Sequence, residues 1–582
     1  MERIFLLMLC VSLSFSSSTL RPNIVVIMAD DLGWNDVSFH GSDQIPTPNI
    51  DALAYNGIIL NRHYTLPTCT PSRAAFMTGK YPIRVGMQGR PTKCGEPRGL
   101  PLQETLLPQR LQDLGYITRL VGKWHLGSHR SEYTPTKRGF HSHFGYWNGY
   151  TGYYDYRIDQ EEFIGYDLHR NLNTSWSENG KYATEVFTQE AVTLISTHEE
   201  DKPLFLLVSH LAVHSGRDSQ LLEVPNIEEA HEKFKYIPDS QRRLYAEMTT
   251  QLDYSVGQIV TALKDKGILN NTIIIFMSDN GAQTIGMHQN WGSNWPHRGL
   301  KFTVFEGGVK GVAAIWSSSL INPQRVSMHM MHITDWYPTI YAMAGGDTNQ
   351  LGERDGVNQW PFLKDNVTSD IPRQDVLLNI GELDDIKGII VGKWKLVQST
   401  IKNGTYDGYF GDFEEEFSPP YNIEGILMSP AFQAIKSTQR NTAMNQNELV
   451  DKIKHLRNEA TVNCPQSKLR HTEEPLCPTY CLFDITNDPC ETENIILQYP
   501  EVAEILNNKL EQFKHEMVPE LTTSVDPNSN PLFYNNTWVS WLDDEYANKV
   551  KHCQLNSSNS HINRSEYSMV NIIFIFVLII CF

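Results

Sequence analysis

Residues 23–31, NIVVIMADD, decide the fold of this chain, together with the matching stretch TIIIFMSDN at residues 272–280. Each opens as an unbroken run of apolar and mostly β-branched residues, the pattern of a strand that is buried on both faces of a sheet. A third run, LFLLV at residues 204–208, has the same character. Helical patterns lie between the runs, at residues 105–114, 178–197 and 246–266. Strands that alternate with helices predict an α/β domain whose large, mostly parallel sheet is flanked by helices.

The pattern changes near residue 372. Short apolar runs at 376–379, 386–391 and 394–398 are separated by tight turns and predict an antiparallel sheet. Residues 403–468 are polar and are expected to form an irregular insertion, whereas 501–515 has a helical pattern. A chain of 582 residues is long enough for two domains. The predicted segments are a signal peptide (1–18), the α/β domain (19–372), a smaller C-terminal α+β domain (373–556) and a hydrophobic tail (557–582).

Acidic and amide side chains directly follow the first two apolar runs. Asp30 and Asp31 follow one run, and Asp279 and Asn280 follow the other. In a mostly parallel sheet, ligands bind outside the carboxyl ends of the strands. Three carboxylates gathered there would repel one another without a cation, and oxygen ligands suit calcium or magnesium rather than zinc or copper. The alternative is that one pair caps a helix and the other begins a turn, but capping needs only one of two adjacent acids.

The segment CTPSRAAFMTGK, residues 69–80, predicts an anion site at the start of a helix. Pro71 fits the first turn of a helix, which places Cys69 in the positive field of the helix N-terminus. Arg73 follows four residues later, on the same face and about one turn away. A helix N-terminus beside an arginine suits an anion. A plain cysteine there would be an activated thiolate, so a thiol hydrolase is one interpretation of this segment.

The same segment closely resembles the signature C-x-P-S-R-x-x-x-x-T-G-R of the type I sulfatase family, with Lys80 in place of the usual arginine. The resemblance implies an alkaline-phosphatase-like fold and the hydrolysis of a sulfate ester. It further implies that a formylglycine-generating enzyme oxidises Cys69 to formylglycine and that the protein binds one Ca2+ ion. In the family pattern the metal ligands are Asp30, Asp31, Asp279, Asn280 and the modified residue 69.

Further motifs resemble other active-site elements of this family. GKWHLG (122–127) supplies Lys123 and His125, LAVHSG (211–216) supplies His214, and RGLKFTVFEGGVKG (298–311) supplies Lys301. The resemblance implies that Arg73 and Lys123 hold the hydrated aldehyde. It implies that Lys123, His214 and Lys301 neutralise the sulfate oxygens. His125 would accept a proton from the nucleophile, and His214 or Lys301 would protonate the leaving oxygen.

Three other histidines lie close to these motifs in the sequence. His210 is expected to be structural, because His214 is the residue that matches the family motif. His288 and His297 flank a Trp-rich loop with Trp291 and Trp295. That loop is expected either to line the substrate pocket or to pack in the core.

Within the family, the chain from the Cys69 helix through NWPHRGLKFTVFEGG (294–308) and LFDITNDPCE (482–491) resembles most the arylsulfatase B, or N-acetylgalactosamine-4-sulfatase, group. This suggests dermatan or chondroitin sulfate as substrate, with another sulfated sugar or a small sulfate ester such as a glucosinolate as alternatives. A phosphatase or phosphodiesterase of the same superfamily would carry Ser or Thr as nucleophile and two zinc ions. A catalytically inactive, sulfated-glycan-binding relative is the non-enzyme alternative, and competent residues at every inferred position argue against it.

The N-terminus and the overall charge indicate the secretory pathway. Arg3 precedes a short apolar run, Ile4 to Phe15, and small serines follow it, as in a signal peptide. Seven glycosylation acceptors come after it, at Asn173, Asn270, Asn366, Asn403, Asn535, Asn556 and Asn563. The net charge of −18 argues against a nucleic-acid partner, which would require a basic face.

The C-terminus ends in an uncharged apolar tail, Val570 to Phe582, preceded by a polar spacer and small residues. This arrangement is typical of a glycolipid-anchor signal, and the alternative is a frayed apolar end without function. The expected location is therefore lysosomal, extracellular or anchored at the cell surface.

Cysteine pairing separates Cys69 from the other cysteines. Loss of the signal peptide and the tail would remove Cys10 and Cys581 and leave seven cysteines, of which six can pair in an oxidising compartment. The cluster from Cys464 to Cys490 is expected to hold one or two local bridges rather than zinc, and a long-range pair is expected between the other two, Cys94 and Cys553. Cys69 is then the unpaired cysteine.

Overall fold

The structure is a computed structural model that describes residues 21–365, 373–382, 386–399, 401–411, 417–438, 445–465 and 477–546. The predicted signal peptide, the hydrophobic tail and Cys553 lie outside these residues. No helix within the described ranges combines the length and the apolar character needed to cross a membrane.

The chain forms eighteen strands in the described residues. They are β1 Asn23–Ala29, β2 Ile58–Leu60, β3 His63–Tyr64, β4 Ile117–Gly122, β5 Ser142–Gly145, β6 Arg157–Gln160, β7 Phe163–Tyr166, β8 His169–Arg170, β9 Asn173–Thr174, β10 Leu204–Ser209, β11 Thr272–Ser278, β12 Ala313–Ser317, β13 Arg325–Ser327, β14 Met331–His332, β15 Asp375–Ile380, β16 Lys387–Val391, β17 Trp394–Ser399 and β18 Cys477–Asp484.

Thirteen α-helices accompany them in the same ranges. They are α1 Pro48–Asn56, α2 Cys69–Thr78, α3 Leu107–Asp113, α4 Ala183–Ser196, α5 Ile227–Lys233, α6 Ser240–Asp265, α7 Glu306–Val309, α8 Trp336–Met343, α9 Trp360–Asp365, α10 Ile423–Met428, α11 Pro430–Lys436, α12 Gln446–Ala460 and α13 Pro500–His515.

Ten strands form one large mixed sheet in the order β13-β2-β12-β11-β1-β10-β4-β5-β8-β9. Its centre, β11-β1-β10-β4-β5, is parallel throughout. The three apolar runs quoted above are therefore adjacent strands, and their pairing register aligns Met28 with both Met277 and Ser209. The predicted large, mostly parallel sheet flanked by helices is confirmed.

Both faces of this sheet are buried, as the unbroken apolar runs predict. Along β1, Val25 and Ile27 pack into one core with α1, α4, α6 and α11, while Ile24 and Val26 pack into a second core with α2, α3 and α8. Successive side chains of a strand point to opposite faces, so one strand contributes to both cores. Strands covered on both sides have no need of alternating polar residues.

A second, four-stranded sheet has the order β15-β16-β17-β18 and is antiparallel throughout. One face packs against α13 through residues such as Leu377 and Leu506. The other face packs against Val304 and Phe305 of the large domain. The predicted C-terminal antiparallel sheet and its helix are confirmed, with the addition of β18.

The expectation of an irregular insertion at 403–468 was wrong for much of its length. Residues 417–460 contain α10, α11 and α12. Phe432 and Ile435 of α11 are buried in the core shared with α1 and α6. α10 and α11 have only 6 and 7 residues, too few to show a helical period, and α12 is mostly polar with one apolar stripe.

Two disulfides close the predicted cysteine cluster, Cys464–Cys490 and Cys477–Cys481. The prediction of local bridges is confirmed. Cys94 is buried and forms no disulfide within the described residues, and its expected partner Cys553 lies outside them.

Candidate active site

The candidate site lies at the carboxyl edge of the large sheet, where four neighbouring parallel strands end. Beyond β11 come Asp279 and Asn280, and beyond β1 come Asp30 and Asp31. The segment after β10 carries His210 and His214, and the segment after β4 carries Lys123 and His125. Because the carboxyl ends of parallel strands meet at one edge of the sheet, residues from widely separated parts of the chain lie side by side there.

Three carboxylates converge at this edge. Ligand oxygens of Asp30, Asp31 and Asp279 lie within 4.8 Å of one another, and all three residues are buried. Asn280 joins them, because its Nδ2 donates to Oδ1 of Asp31 at 2.6 Å. The Oδ1 atoms of Asp30 and Asn280 are buried and have no hydrogen-bond partner among the described residues. Buried, unpartnered oxygens in a cluster of carboxylates fit a hard divalent cation.

Each carboxylate also faces one basic side chain. Lys123 Nζ lies 2.6 Å from Asp30 Oδ2, and Lys301 Nζ lies 2.7 Å from Asp31. Arg73 Nη2 lies 2.8 Å from Asp279 Oδ2 and 3.7 Å from Asp30 Oδ1. Three positive and three negative groups balance, so a divalent cation would leave an excess of positive charge. A bound anion would neutralise that excess.

The buried charges shift one another's pKa values. Burial raises the pKa of Asp279, and the neighbouring Asp30 adds to the effect while Arg73 opposes it. Burial alone would lower the pKa of Lys301, but the carboxylates, Asp31 foremost, raise it overall. Lys301 therefore keeps its proton and its positive charge.

Cys69 begins α2 at the base of this cluster and is 2% exposed. Its Sγ lies 3.3 Å from Nδ1 of His125. Burial raises the pKa of the Cys69 thiol, although Lys123 and Lys301 oppose the effect. A thiol hydrolase needs a thiolate with a lowered pKa, so the direction of this shift argues against that interpretation.

His125 is held in one tautomer. Its Nε2 lies 2.9 Å from the carbonyl oxygen of Thr92, which can only accept, so Nε2 carries the proton. The lone pair on Nδ1 then faces residue 69. Burial, aided by Lys123, lowers the pKa of His125 well below its usual value, which keeps the ring neutral and able to accept a proton. The residue has a left-handed backbone, with φ of 59°, as does Asp31 with φ of 57°.

The four histidines near the motifs have different surroundings. His214 Nε2 lies 3.5 Å from Asp31 Oδ2, while His210 donates to or accepts from Ser255 in the core, 3.0 Å away. His288 lies beside His214, with 5.9 Å between ring centroids. His297 is buried against Trp34, and its Nδ1 lies 3.0 Å from the Pro489 carbonyl oxygen. Of the two histidines in the Trp-rich loop, His288 is therefore near the site and His297 is in the core.

Sequence reasoning missed three residues that support the site. Ser209 Oγ accepts from Nη1 of Arg73 at 2.5 Å. Asn290 Nδ2 donates to the carbonyl oxygens of Asp31 and Val213 and so ties two loops together. Thr92 acts through its carbonyl oxygen, as described for His125. Ser209 ends the third apolar strand at the same edge, and that position is a signal which could have identified it.

Comparison with known proteins finds similarity to sulfatases. A family model described as Sulfatase matches residues 22–346. Arylsulfatase J of Mus musculus is 35% identical over 543 residues, which cover 92% of this chain and 82% of the relative. N-acetylgalactosamine-6-sulfatase of Canis lupus familiaris is 31% identical over 447 residues, which cover 73% of this chain and 80% of the relative. Arylsulfatase A of Homo sapiens is 29% identical over 415 residues, which cover 67% of this chain and 75% of the relative.

Solved structures share the fold. The crystal structure of Ps i-CgsB has a TM-score of 0.66 at 24% identity and covers 86% of this chain and 94% of its own. The crystal structure of the PsFucS1 sulfatase from Pseudoalteromonas sp. has a TM-score of 0.59 at 22% identity and covers 87% of this chain and 92% of the PsFucS1 chain.

Proposed function

The chain belongs to the sulfatase family, and from this we propose that it hydrolyses a sulfated sugar with a nucleophile made from Cys69. The observation that carries the proposal is the position of Cys69. It lies at a helix N-terminus within reach of a neutral histidine, beneath three carboxylates and three buried cations. Enzymes that transfer charged groups depend on this kind of preorganised charge.

We infer that residue 69 acts as formylglycine and that the acidic cluster holds one Ca2+ ion. A hydrated formylglycine supplies two hydroxyl groups on one carbon, one to attack sulfur and one to expel sulfate afterwards. Calcium, when bound, favours the ionised form of such a hydroxyl. Asp30, Asp31, Asp279 and Asn280 would hold the ion together with the modified side chain of residue 69. The buried Oδ1 atoms of Asp30 and Asn280, which accept no hydrogen bond within the described residues, support this ligand set.

The proton-transfer roles follow from the contacts of the side chains. His125 presents an unprotonated Nδ1 to residue 69 at 3.3 Å and would take the proton of the attacking hydroxyl. Arg73 and Lys123 would orient the nucleophile. Lys301 keeps its proton, so it or His214 would protonate the leaving oxygen as the bond between sulfur and that oxygen breaks.

The sulfate oxygens would lie among Lys123, His214 and Lys301, all of which are buried. Charge that builds on these oxygens during the attack would meet fixed cations in a site that largely excludes water, where electrostatic stabilisation is strongest.

The substrate class is inferred from the relatives. Two of those named above are an N-acetylgalactosamine-6-sulfatase and arylsulfatase J, and the motifs resemble the N-acetylgalactosamine-4-sulfatase group. A sulfated N-acetylhexosamine is therefore the proposed substrate, and a small sulfate ester is the alternative. A formylglycine-generating enzyme is the proposed partner in maturation. We propose a lysosomal, extracellular or lipid-anchored location.

Mass spectrometry of the peptide that contains Cys69 tests the nucleophile directly. The active enzyme should show the aldehyde or its hydrate at this position, and a free thiol throughout a fully active preparation would refute the proposal. Cys69→Ala should abolish turnover of an aryl sulfate while the circular dichroism spectrum stays that of the wild type. Normal turnover in this variant would exclude Cys69 as the source of the nucleophile.

A further inference from the structure

A line of four side chains leads from the candidate metal site to solvent. The exposed fraction of the side chains rises from 0% at Asp31 to 5% at His214, where the two are 3.5 Å apart. It then rises to 25% at His288 and 74% at Asp218, where Nδ1 and Oδ1 are 3.7 Å apart. The sulfate group would lie at the buried end, beside His214. This line gives the alcohol portion of the substrate a route to solvent past His288.

Three aromatic rings form a wall along this line. The ring of Tyr150 lies nearly parallel to that of His214, with centroids 5.9 Å apart and an interplanar angle of 13°. The ring of His288 lies 4.7 Å from that of Tyr150. Aromatic side chains are the usual lining of pockets that receive a flat or weakly polar ring.

Hydrogen bonds fix the hydroxyl of Tyr150 and the main chain of His288. The hydroxyl of Tyr150 donates to the carbonyl oxygen of Asp159 at 2.6 Å. The carbonyl oxygen of His288 accepts from Ser215 Oγ at 2.9 Å, and Ser215 directly follows His214 in the chain. Nδ1 of His288 has no hydrogen-bond partner among the described residues. That atom is buried and lies 3.7 Å from Asp218 Oδ1, so His288 contributes its partly exposed ring, rather than a free polar atom, to this line.

The outer end of this wall is acidic. Arg217 is engaged by Asp155 at 2.5 Å and by Asp159 at 2.9 Å, so its charge is already matched. Asp218 faces no lysine or arginine at salt-bridge distance within the part of the chain that the structure describes. One cation and three carboxylates thus border the wall. A second anionic group on the substrate would be repelled here.

We propose that Tyr150 and His288 form the subsite for the ring that carries the scissile sulfate, and that Asp218 selects against an anionic substituent next to it. This rests on the proposed function. The preferred substrate is then a sulfated sugar whose neighbouring positions are uncharged, such as a terminal, singly sulfated N-acetylhexosamine. The same sugar joined to a uronate binds less well.

The ring subsite is tested with His288→Ala and, as a matched control, His455→Ala on the exposed face of α12, where the side chain is 70% exposed. His288→Ala should lower kcat/KM for a singly sulfated N-acetylhexosamine about ten-fold, or about 1.4 kcal/mol, mainly through KM. The inhibition constant of inorganic sulfate should change less than about two-fold, because the sulfate end is intact. An unchanged kcat/KM, or an equal loss of sulfate affinity, would overturn the assignment.

The charge selection is tested with Asp218→Asn, which keeps the size of the side chain. We expect the ratio of kcat/KM for the uronate-linked substrate to that for the single sugar to rise about three-fold or more at low ionic strength. High salt should reduce the gain, because exposed charges are screened. A ratio unchanged at both salt concentrations would contradict this role. Failure of the proposed function would differ from both results, since the wild type would then hydrolyse neither substrate.

Discussion

At the residue scale, the amide of Asn280 offers a direct test of calcium binding. Its Nδ2 donates to Asp31 and to the Gly281 carbonyl oxygen, which leaves Oδ1 buried without a partner in the described residues. Asn280→Ala removes this oxygen from the proposed ligand set. We expect calcium to raise the Tm of the calcium-stripped wild type by several degrees and to raise that of the variant by less than half as much. Differential scanning calorimetry with and without calcium measures both shifts.

The control for this prediction is Asn271→Ala. Asn271 is exposed and directly precedes β11, at the end of the strand opposite Asn280. Its calcium-dependent shift should equal that of the wild type. If the shift of Asn280→Ala also equals that of the wild type, Asn280 is not a ligand.

Arg73 is expected to stabilise the calcium-free protein. Its guanidinium donates to Asp279 through both Nε and Nη2, and both side chains are buried. Arg73→Ala leaves a buried carboxylate without this partner, and removal of one member of a buried ion pair costs about 3–5 kcal/mol. Urea unfolding in the presence of a chelator measures the loss. The exposed Arg130→Ala serves as the reference, and equal unfolding free energies in the two variants would refute the prediction.

A residue of the candidate site was predictable where both its chemical type and its position in a sequence motif point to a role. Asp30 and Asp279 each follow an apolar strand, and Cys69 is followed by a proline and an arginine at helical spacing. Thr92 and Asn290 could not be found in this way. Thr92 contributes a main-chain oxygen, which every residue has, and Asn290 acts through contacts with loops distant in sequence.

At the scale of elements, Asp253 of α6 holds the first turn of α1. Its Oδ1 accepts from the backbone N–H groups of Asn49 and Ile50 at 2.9 and 2.8 Å. Burial raises the pKa of Asp253 to about 7. The unfolded chain has a pKa of about 3.9 for this group. The folded state therefore binds an extra proton between about pH 4 and 7, so the contribution of Asp253 is greatest below this window and is lost as the pH rises through it.

Asp253→Asn removes this titration and keeps the oxygen that caps α1. Lowering the pH from 7.5 to 5 should stabilise the wild type relative to the variant by on the order of 2 kcal/mol, measured by urea unfolding at both pH values. Asp265→Asn on the same helix, where the side chain is 62% exposed, is the matched control and should follow the wild type. Parallel pH profiles for the wild type and Asp253→Asn would contradict the assignment.

Elements were predictable in proportion to how uniformly they are buried. The strands β1, β10 and β11 are buried along their whole length, so their sequences are unbroken apolar runs. Helices α10 and α12 bury only part of one face, with Ile426 and Leu427 in the first and Ile453, Leu456 and Ala460 in the second. The exposed polar face dominates the composition of α12, and α10 has only 6 residues, too few to show a helical period, which explains why the prediction for residues 403–468 was wrong.

At the scale of the whole molecule, the two disulfides are expected to differ in their effect on stability. Cys464–Cys490 closes a loop with a sequence separation of 26, whereas Cys477–Cys481 has a separation of 4. Chain-entropy loss in the unfolded state grows with the logarithm of loop length, which gives about 3–4 kcal/mol for the first and about 2 kcal/mol for the second. The double variants Cys464→Ser/Cys490→Ser and Cys477→Ser/Cys481→Ser can be compared by urea unfolding. A larger loss for the second pair would contradict the expected order.

The burial of Cys69 has a consequence for when the protein can mature. The side chains around it come from the segments after β1 and β4 and from residues 279–301, which are synthesised long after residue 69. Once β11 pairs with β1, a modifying enzyme no longer has a path to the 2% exposed thiol. Under the proposed conversion of Cys69 to formylglycine, oxidation and folding would therefore compete in time. The fraction of chains converted at residue 69 would then report which process was faster, and a chain that folded first would lack the proposed nucleophile.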